Sequence, residues 1–380
     1  MEFPNSIRLQ PSSADFPQDI SGIQKGPGVY LLWSGETPLH LSWSSNLQRR
    51  LKRLLLSPAA GSATRRFGDK VDSVNCWAVG SRLETQLLLY RLARRFYPDK
   101  YLKLLKLRPP WFLNVTARDP FPRLEIVNRA PSRSELLLGP FVTKGAASHY
   151  EQETTALFQL RRCTETLAPS PEHPGCIYGE MNQCLRPCQC RVTEQEYASE
   201  VRRVTDFLAT NGRSTSALLS SARERACEEM EFEQAAQLHK RIEKIQDTAG
   251  LRDPVIGEIP SFNGLALTRA AAPGELVLWP MLAGCWQEPV HLDFLQKEST
   301  TKSLDRELRE LLAGALPAAG EPLHNPPHSQ TEELAIFSRW YYSSWRDGQW
   351  FAFRELSDLN YRKLVREISK MAQPPALQVR

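Results

Sequence analysis

The run Cys163-TETLAPSPEHPG-Cys176-IYGEMNQ-Cys184-LRP-Cys188-Q-Cys190 carries the clearest signal in the chain, and five of the eight cysteines fall inside it. Pro169, Pro171, Pro174, Pro187, Gly175 and Gly179 rule out a long helix or a central strand here. A polar loop of this kind needs an ordering agent, and thiolates closing on a metal supply one. Twelve, seven and three residues separate Cys163, Cys176, Cys184 and Cys188. Zinc sites pair their cysteines closely, and only Cys184 with Cys188, or less comfortably Cys188 with Cys190, makes such a pair. Iron–sulfur clusters accept longer and less regular spacing. Disulfides are the plain alternative, but nothing else in the chain looks secreted.

The same run, Pro174-Gly-Cys-Ile-Tyr-Gly-Glu-Met-Asn-Gln-Cys-Leu-Arg-Pro-Cys188, resembles the UvrC family of nucleotide-excision-repair nucleases. There a similar segment, "RPCLxYxIGxCxxPC", holds a 4Fe-4S iron–sulfur cluster. The resemblance implies that Cys163, Cys176, Cys184 and Cys188 are the cluster ligands, with zinc as the alternative. Cys190 has no counterpart in the pattern.

At 380 residues the chain exceeds one ordinary domain, and 41% hydrophobic with 24% charged residues suits a soluble globular protein. No apolar run reaches membrane-spanning length, and the N-terminus lacks the basic and apolar regions of a signal peptide. Together with clustered cysteines this points to a reducing cytoplasm and no membrane partner. The net charge of +5 hides an asymmetry. Residues 1–135 hold 21 Lys and Arg against 11 Asp and Glu, whereas residues 136–380 hold 27 against 32. A basic first part suggests contact with a polyanion, although a merely solvated basic surface explains charge alone as well.

Residues 1–25 read as a short leader. Pro27–Trp33 reads as a buried strand, Ser34–Pro38 as a turn and Leu39–Trp43 as a second strand. Asn46 suits an N-cap for a helix carrying Leu47, Leu51, Leu54 and Leu55. A strand at Val74–Val79 and a helix at Leu83–Phe96, stopped by Pro98, follow. This order resembles the GIY-YIG nuclease domain with which UvrC proteins begin. Tyr30 and Arg50 match retained family residues. The second motif, "YxGKA", meets His40, Ser42 and Trp43 instead of tyrosine, glycine and lysine. The metal-binding glutamate aligns with Leu89 and the later asparagine with Tyr101. Glu84, five residues before Leu89, lies about 140° around the helix from it.

Phosphodiester hydrolysis at such a site needs a divalent metal, magnesium needs oxygen ligands, and Leu89 offers none. The sequence therefore implies a remnant site of Tyr30, Arg50 and His40 with no catalytic magnesium. Arg49, Arg50, Lys52, Arg53, Arg65 and Arg66 remain available to DNA phosphates.

Short strands are expected at Trp111–Val115 and Pro122–Val127, then a "GPF" landmark at Gly139–Phe141. A helix from Ala146 to Arg162, burying Ala156, Leu157 and Leu160, would deliver Cys163. Thr193 to Glu196 reads as a capping box for a helix ending at Asn211-Gly212. Residues 215–246 read as two helices, with Phe232, Ala235, Ala236, Leu238, Ile242 and Ile245 forming a narrow apolar seam. "MEFEQAAQLHKRIEKI" resembles the UVR motif, the helical hairpin through which UvrB and UvrC bind. The resemblance implies UvrB, or another UVR-containing protein, as partner of Phe232, Ala235, Ala236, Leu238 and Ile242. His239-Lys240 stand where the family has Arg-Asp.

Strands at 264–268, 276–282 and 290–294 resemble the start of the UvrC C-terminal half, without its acidic pair or helix–hairpin–helix repeats. Asp293 and Asp305 are isolated acids. An aromatic helix at Leu334–Trp345, a strand at Trp350–Phe353 and a helix at Leu359–Met371 close the chain. Its aromatics beside Arg339, Arg346 and Arg354 suit either a small core or stacking on bases, with the core favoured.

The fold class read from all this is α+β and multi-domain. Residues 1–112 form a degenerate GIY-YIG-like sheet domain, 113–212 a strand, helix and Cys-rich region, and 213–250 a UVR hairpin. Residues 251–313 are strand-rich, 314–330 a linker and 331–380 an aromatic segment. The functional reading is a UvrC-like repair protein binding DNA and UvrB without cutting. Its rivals are an active GIY-YIG endonuclease and a UVR-motif interaction protein outside repair.

Overall fold

A computed structural model describes residues 7–10, 16–23, 25–56, 70–116, 120–131, 134–293, 303–316 and 327–372. It is a mixture of helices and antiparallel sheets, in agreement with the α+β reading. No helix among these residues is long and apolar enough to cross a membrane.

The first sheet has the order β1-β4-β2-β3. Its strands are β1 (Ile7–Leu9), β2 (Gly28–Ser34), β3 (Thr37–Ser44) and β4 (Ser73–Ala78). Helix α1 (Phe16–Gly22) precedes β2, and α2 (Leu47–Leu51) runs into a wider π-helical turn at Lys52–Leu56. Asn46 caps α2 by accepting the Arg49 N–H at 2.9 Å. Helices α3 (Arg82–Phe96) and α4 (Tyr101–Leu105) follow β4. The expected leader is thus corrected: β1 and α1 belong to the fold. Leu9, Ile20 and Ile23 lie in the same buried cluster as Tyr30, Leu32 and Leu47. The opposite face of the sheet, with Val29, Leu31, Leu41 and Trp77, packs with Leu92 and Ala93 of α3. Two apolar layers result because alternate β2 residues point to opposite faces.

A second sheet joins β5 (Trp111–Val115), β6 (Leu124–Val127), β7 (Leu136–Phe141) and, past the helices, β8 (Gly257–Glu258) in the order β6-β5-β7-β8. Helix α5 (Lys144–Leu157) buries Ala147, Tyr150, Thr154 and Thr155. It stops well before the expected Arg162, Ala156 is exposed, and Phe158 to Cys163 is not helical. The extended backbone finds its hydrogen bonds elsewhere: Gln159 N–H donates to Glu200 Oε1 at 2.8 Å, and Arg161 N–H to Tyr197 Oη at 2.9 Å. After the short α6 (Ile177–Glu180), α7 (Glu194–Thr210) starts at a capping box of Thr193 and Glu196. It ends at Asn211 and Gly212, both left-handed. Helices α8 (Arg213–Glu228) and α9 (Phe232–Gly250) then form an antiparallel hairpin.

The third sheet comprises β9 (Asn263–Arg269), β10 (Glu275–Leu282), β11 (Cys285–Trp286), β12 (Val290–Asp293) and β13 (Gly348–Phe353). Its path is β11-β10-β9-β13, with β12 also on β10. Three helices complete the chain: α10 (Leu304–Ala315), α11 (Pro327–Tyr341) and α12 (Tyr361–Ala372). Helix α10 was not expected, and α11 starts inside the expected linker and stops at Tyr341. Phe337 and Trp340 are fully buried, as a core role requires.

Contacts divide the chain into two units: Met1–Arg108 with Asn263–Asn325 and Arg339–Arg380, and Pro109–Phe262 with Pro326–Ser338. The first and third sheets, assigned to separate segments from sequence, therefore share one unit.

Candidate functional site

The corner of Tyr30, Arg50 and His40 is built on one face of the first sheet. Tyr30 pairs with Ser42 on β3 and with Cys76 on β4, and is fully buried. Arg50, on α2, donates from Nε to Tyr30 Oη at 3.2 Å, and the His40 ring lies 6.0 Å from the Tyr30 ring. Burial, and secondarily the Arg50 charge, push the His40 pKa down. The corner thus favours the uncharged form of the His40 imidazole.

Leu89 is not in this corner. It packs against Val29, Leu31, Leu41 and Trp77, on the opposite sheet face. Tyr101 belongs to that apolar group too. Trp43, in place of the lysine, lies under the Arg82 guanidinium at 4.5 Å. Glu84 is engaged at the start of α3, where its Oε2 accepts the Gly80 N–H at 2.7 Å. Asp347 accepts the neighbouring Arg82 N–H at 2.5 Å and the Trp340 indole N–H at 3.1 Å.

Burial pushes the Glu84 pKa up to about 7, against the two backbone hydrogen bonds, and Asp347 adds to the rise. The folded chain then holds a proton that the unfolded chain releases between about pH 4.5 and 7. Stability contributed by the protonated carboxyl is present at low pH and is lost as pH rises through that window, by at most about 3 kcal/mol. Glu84→Gln keeps an oxygen for Gly80 and removes the titration. Urea unfolding at pH 5 and pH 8 should show the variant gaining on the parent at pH 8 only.

Arg49 and Arg53 are exposed, and Lys52 and Arg50 are half-buried, so this helix presents charge beside the corner. Arg65 and Arg66 lie outside the described residues.

The cysteine loop is held from behind by two side chains that sequence reading passed over. Arg161, 3% exposed, donates to the carbonyls of Phe121 (2.7 Å), Cys163 (3.1 Å) and Glu165 (3.0 Å), and to Cys163 Sγ at 3.6 Å. Tyr197 takes the Arg161 N–H and donates to the Pro122 carbonyl at 2.8 Å. The available signals were an arginine two residues before the first cysteine and an aromatic one turn into a capped helix.

Cys176 precedes α6, Arg186 N–H donates to Cys184 Sγ at 3.4 Å, and Ser170 N–H donates to the Cys188 carbonyl at 2.9 Å. Cys184 and Cys188 are buried, Cys163 half-buried, and Cys176 and Cys190 exposed; all are free thiols. Burial raises the Cys184 pKa, and Cys176, Cys163 and Cys188 raise it further. Burial raises Cys188 likewise, with additions from Cys176 and Cys163. The four expected ligands therefore share one electrostatic neighbourhood. They are not closed around a common point: among the described residues no group of three or more His, Cys, Asp or Glu side chains is arranged to hold a metal. The donor chemistry fits a thiolate-ligated cluster, and the loop has to close to bring the sulfurs into ligand geometry. The raised pKa values of Cys184 and Cys188 keep both protonated, and a bound cation would compensate their thiolates.

In the hairpin, the expected seam divides in two. Ala235 and Ile242 are buried within the chain's own packing, so they are not open to a partner, and Ile245, also buried, lies at the wall of a groove. Leu238 is half-buried and Ala236 exposed. Phe232 is 69% exposed, and Met230 and Leu218 are exposed with it.

Residues 110–207 match the family model for the UvrC/Cho excinuclease middle domain. This stretch contains the whole cysteine loop and most of α7.

The chain carries the middle domain of the UvrC family.

Among curated relatives, it is 28% identical over 221 residues to the UvrABC system protein C of Alcanivorax borkumensis, covering 58% of this chain and 36% of that one. It is 30% identical over 238 residues to that of Chlamydia trachomatis serovar D, covering 60% and 39%. For Desulfatibacillum aliphaticivorans the values are 32% over 243 residues, 62% and 39%. The match thus spans about two-fifths of those UvrC proteins. No solved structure matches the chain significantly. Arg161 and Tyr197 lie within the matched UvrC middle-domain segment, and both serve its cysteine loop.

Proposed function

We propose that this UvrC-family chain acts in nucleotide excision repair by binding DNA and UvrB, without incising DNA itself. The observation that carries the reading is Leu89, an apolar side chain packed in an apolar cluster where resemblance calls for a metal-binding glutamate. Leu89 offers magnesium no oxygen and lies on the sheet face opposite Tyr30, so the position aligned with the family's ligand supplies none to the corner. Tyr30 and Arg50 still hold the corner together, so the architecture outlasts the chemistry. The exposed cations beside it would contact phosphates without activating water.

Cys163, Cys176, Cys184 and Cys188 would hold an iron–sulfur cluster, and when bound it would order the loop. Arg161 would donate a hydrogen bond to the Cys163 sulfur and the Arg186 amide one to the Cys184 sulfur. The exposed Phe232 end of the hairpin would meet UvrB. A DNA-binding titration at several salt concentrations tests the first part. Affinity should fall steeply with salt, and Arg49→Ala/Arg53→Ala should weaken binding and lower the log–log slope by about 2. An unchanged slope would remove this helix from the DNA interface.

A further inference from the structure

We propose that a groove at the base of the hairpin, remote from the exposed Phe232 end, docks a short acidic segment of a protein partner bearing one bulky aliphatic side chain. The groove encloses about 270 Å³ between α7, α8, α9 and the end of α5. Its apolar lining comes from Leu157, Phe158, Leu219 and Ile245. Its cations are Arg203, Lys240, Arg241 and Lys244, and no acid lines it. Arg203 is paired with Glu200 at 2.6 Å. Lys240, Arg241 and Lys244 are exposed and form no ion pair among the described residues.

This arrangement states what would fill it. Three uncommitted cations around an apolar pocket favour an anionic ligand and penalise a cationic one. An aliphatic cavity of about 150 Å³ already holds a benzene-sized group, so this one accommodates a leucine or isoleucine side chain. A nucleic-acid base is disfavoured. Base stacking needs an open aromatic face, whereas Phe158 is 5% exposed, with Phe207 edge-on at 5.5 Å and the Arg203 guanidinium 5.8 Å over it. Lys240 and Lys244, one turn apart on α9, lie about 12–18 Å along the helix from Phe232. The groove is therefore a separate surface from the hairpin tip.

The test uses the full chain and a fluorescein-labelled peptide with a Leu-Leu centre flanked by Asp and Glu. Saturable binding is expected. It should weaken about tenfold or more when the leucines become serines, and likewise when the acids become their amides. Arg241→Glu/Lys244→Glu should abolish binding of the acidic peptide and create binding of a peptide with lysines in place of the acids. Both changed residues are exposed, so the swap reads charge and not folding. Equal binding by the amide peptide would overturn the proposal. So would displacement by a single-stranded oligonucleotide at lower concentration than by unlabelled peptide, or an equal loss in Phe232→Ala.

Discussion

Changing Cys184 and Cys188 together to serine is expected to strip the iron from anaerobically purified protein and to open the 163–190 loop to protease. The parent should carry iron and sulfide in equal amounts. The effect should be large, because metal ligation to folded thiolate sites is worth on the order of 10 kcal/mol, and this loop has little apolar burial of its own. Cys184 and Cys188 are the two buried thiols of the set, so their loss also removes the donors least replaceable by solvent. Cys190→Ser, by contrast, should leave the iron content unchanged. Stoichiometric zinc without sulfide in the parent would replace the cluster reading with a zinc site.

Tyr197→Phe should cost about 2–5 kcal/mol. The hydroxyl is the meeting point of two backbone groups, the Arg161 N–H and the Pro122 carbonyl. Phenylalanine keeps the edge-on contact with Phe121, at 5.2 Å, but leaves the buried Arg161 N–H and the part-buried Pro122 carbonyl without this partner. Each such loss is worth about 1–3 kcal/mol. A lower urea midpoint at unchanged slope is the expected result. A loss under about 1 kcal/mol would mean that water replaces the hydroxyl. Since Arg161 also holds Cys163, the variant should release iron faster to a chelator.

The sequence was most legible where local chemistry decides. Apolar runs between turn residues marked β2, β9 and β10 to within a residue at each end, alternation marked β3 to within two, and side-chain caps marked the starts of α2 and α7. It failed where distant partners decide. Strand β1 has three residues, too few for a period, and exists through pairing with β4 some 67 positions away. Helix α5 ends without Gly or Pro because Glu200 and Tyr197, on α7, take up the amides of Gln159 and Arg161. Helix α10 was readable in principle, from Ser303 as cap and the buried Leu308 and Leu312.

The candidate site shows the same division. Tyr30, His40 and Arg50 were grouped by the family resemblance; in the fold Arg50 hydrogen-bonds Tyr30 and the His40 ring lies 6.0 Å from the Tyr30 ring. Leu89 was aligned with the same corner, but its strand partners lie on the other face. A helix-to-sheet register of that kind depends on packing that no linear motif records. Ala235 and Ile242, read with the rest of the hairpin seam as a partner surface, are buried in the chain's own packing for a related reason. An apolar stripe does not state whether the chain itself or a partner covers it.

The most direct test incubates the chain and UvrB with damaged duplex DNA in magnesium, then manganese, and resolves the strands on a denaturing gel. The account predicts a bound duplex and no new incision product in either metal. Incision that vanishes in Tyr30→Phe or Arg50→Ala would contradict it and restore the corner to an active nuclease.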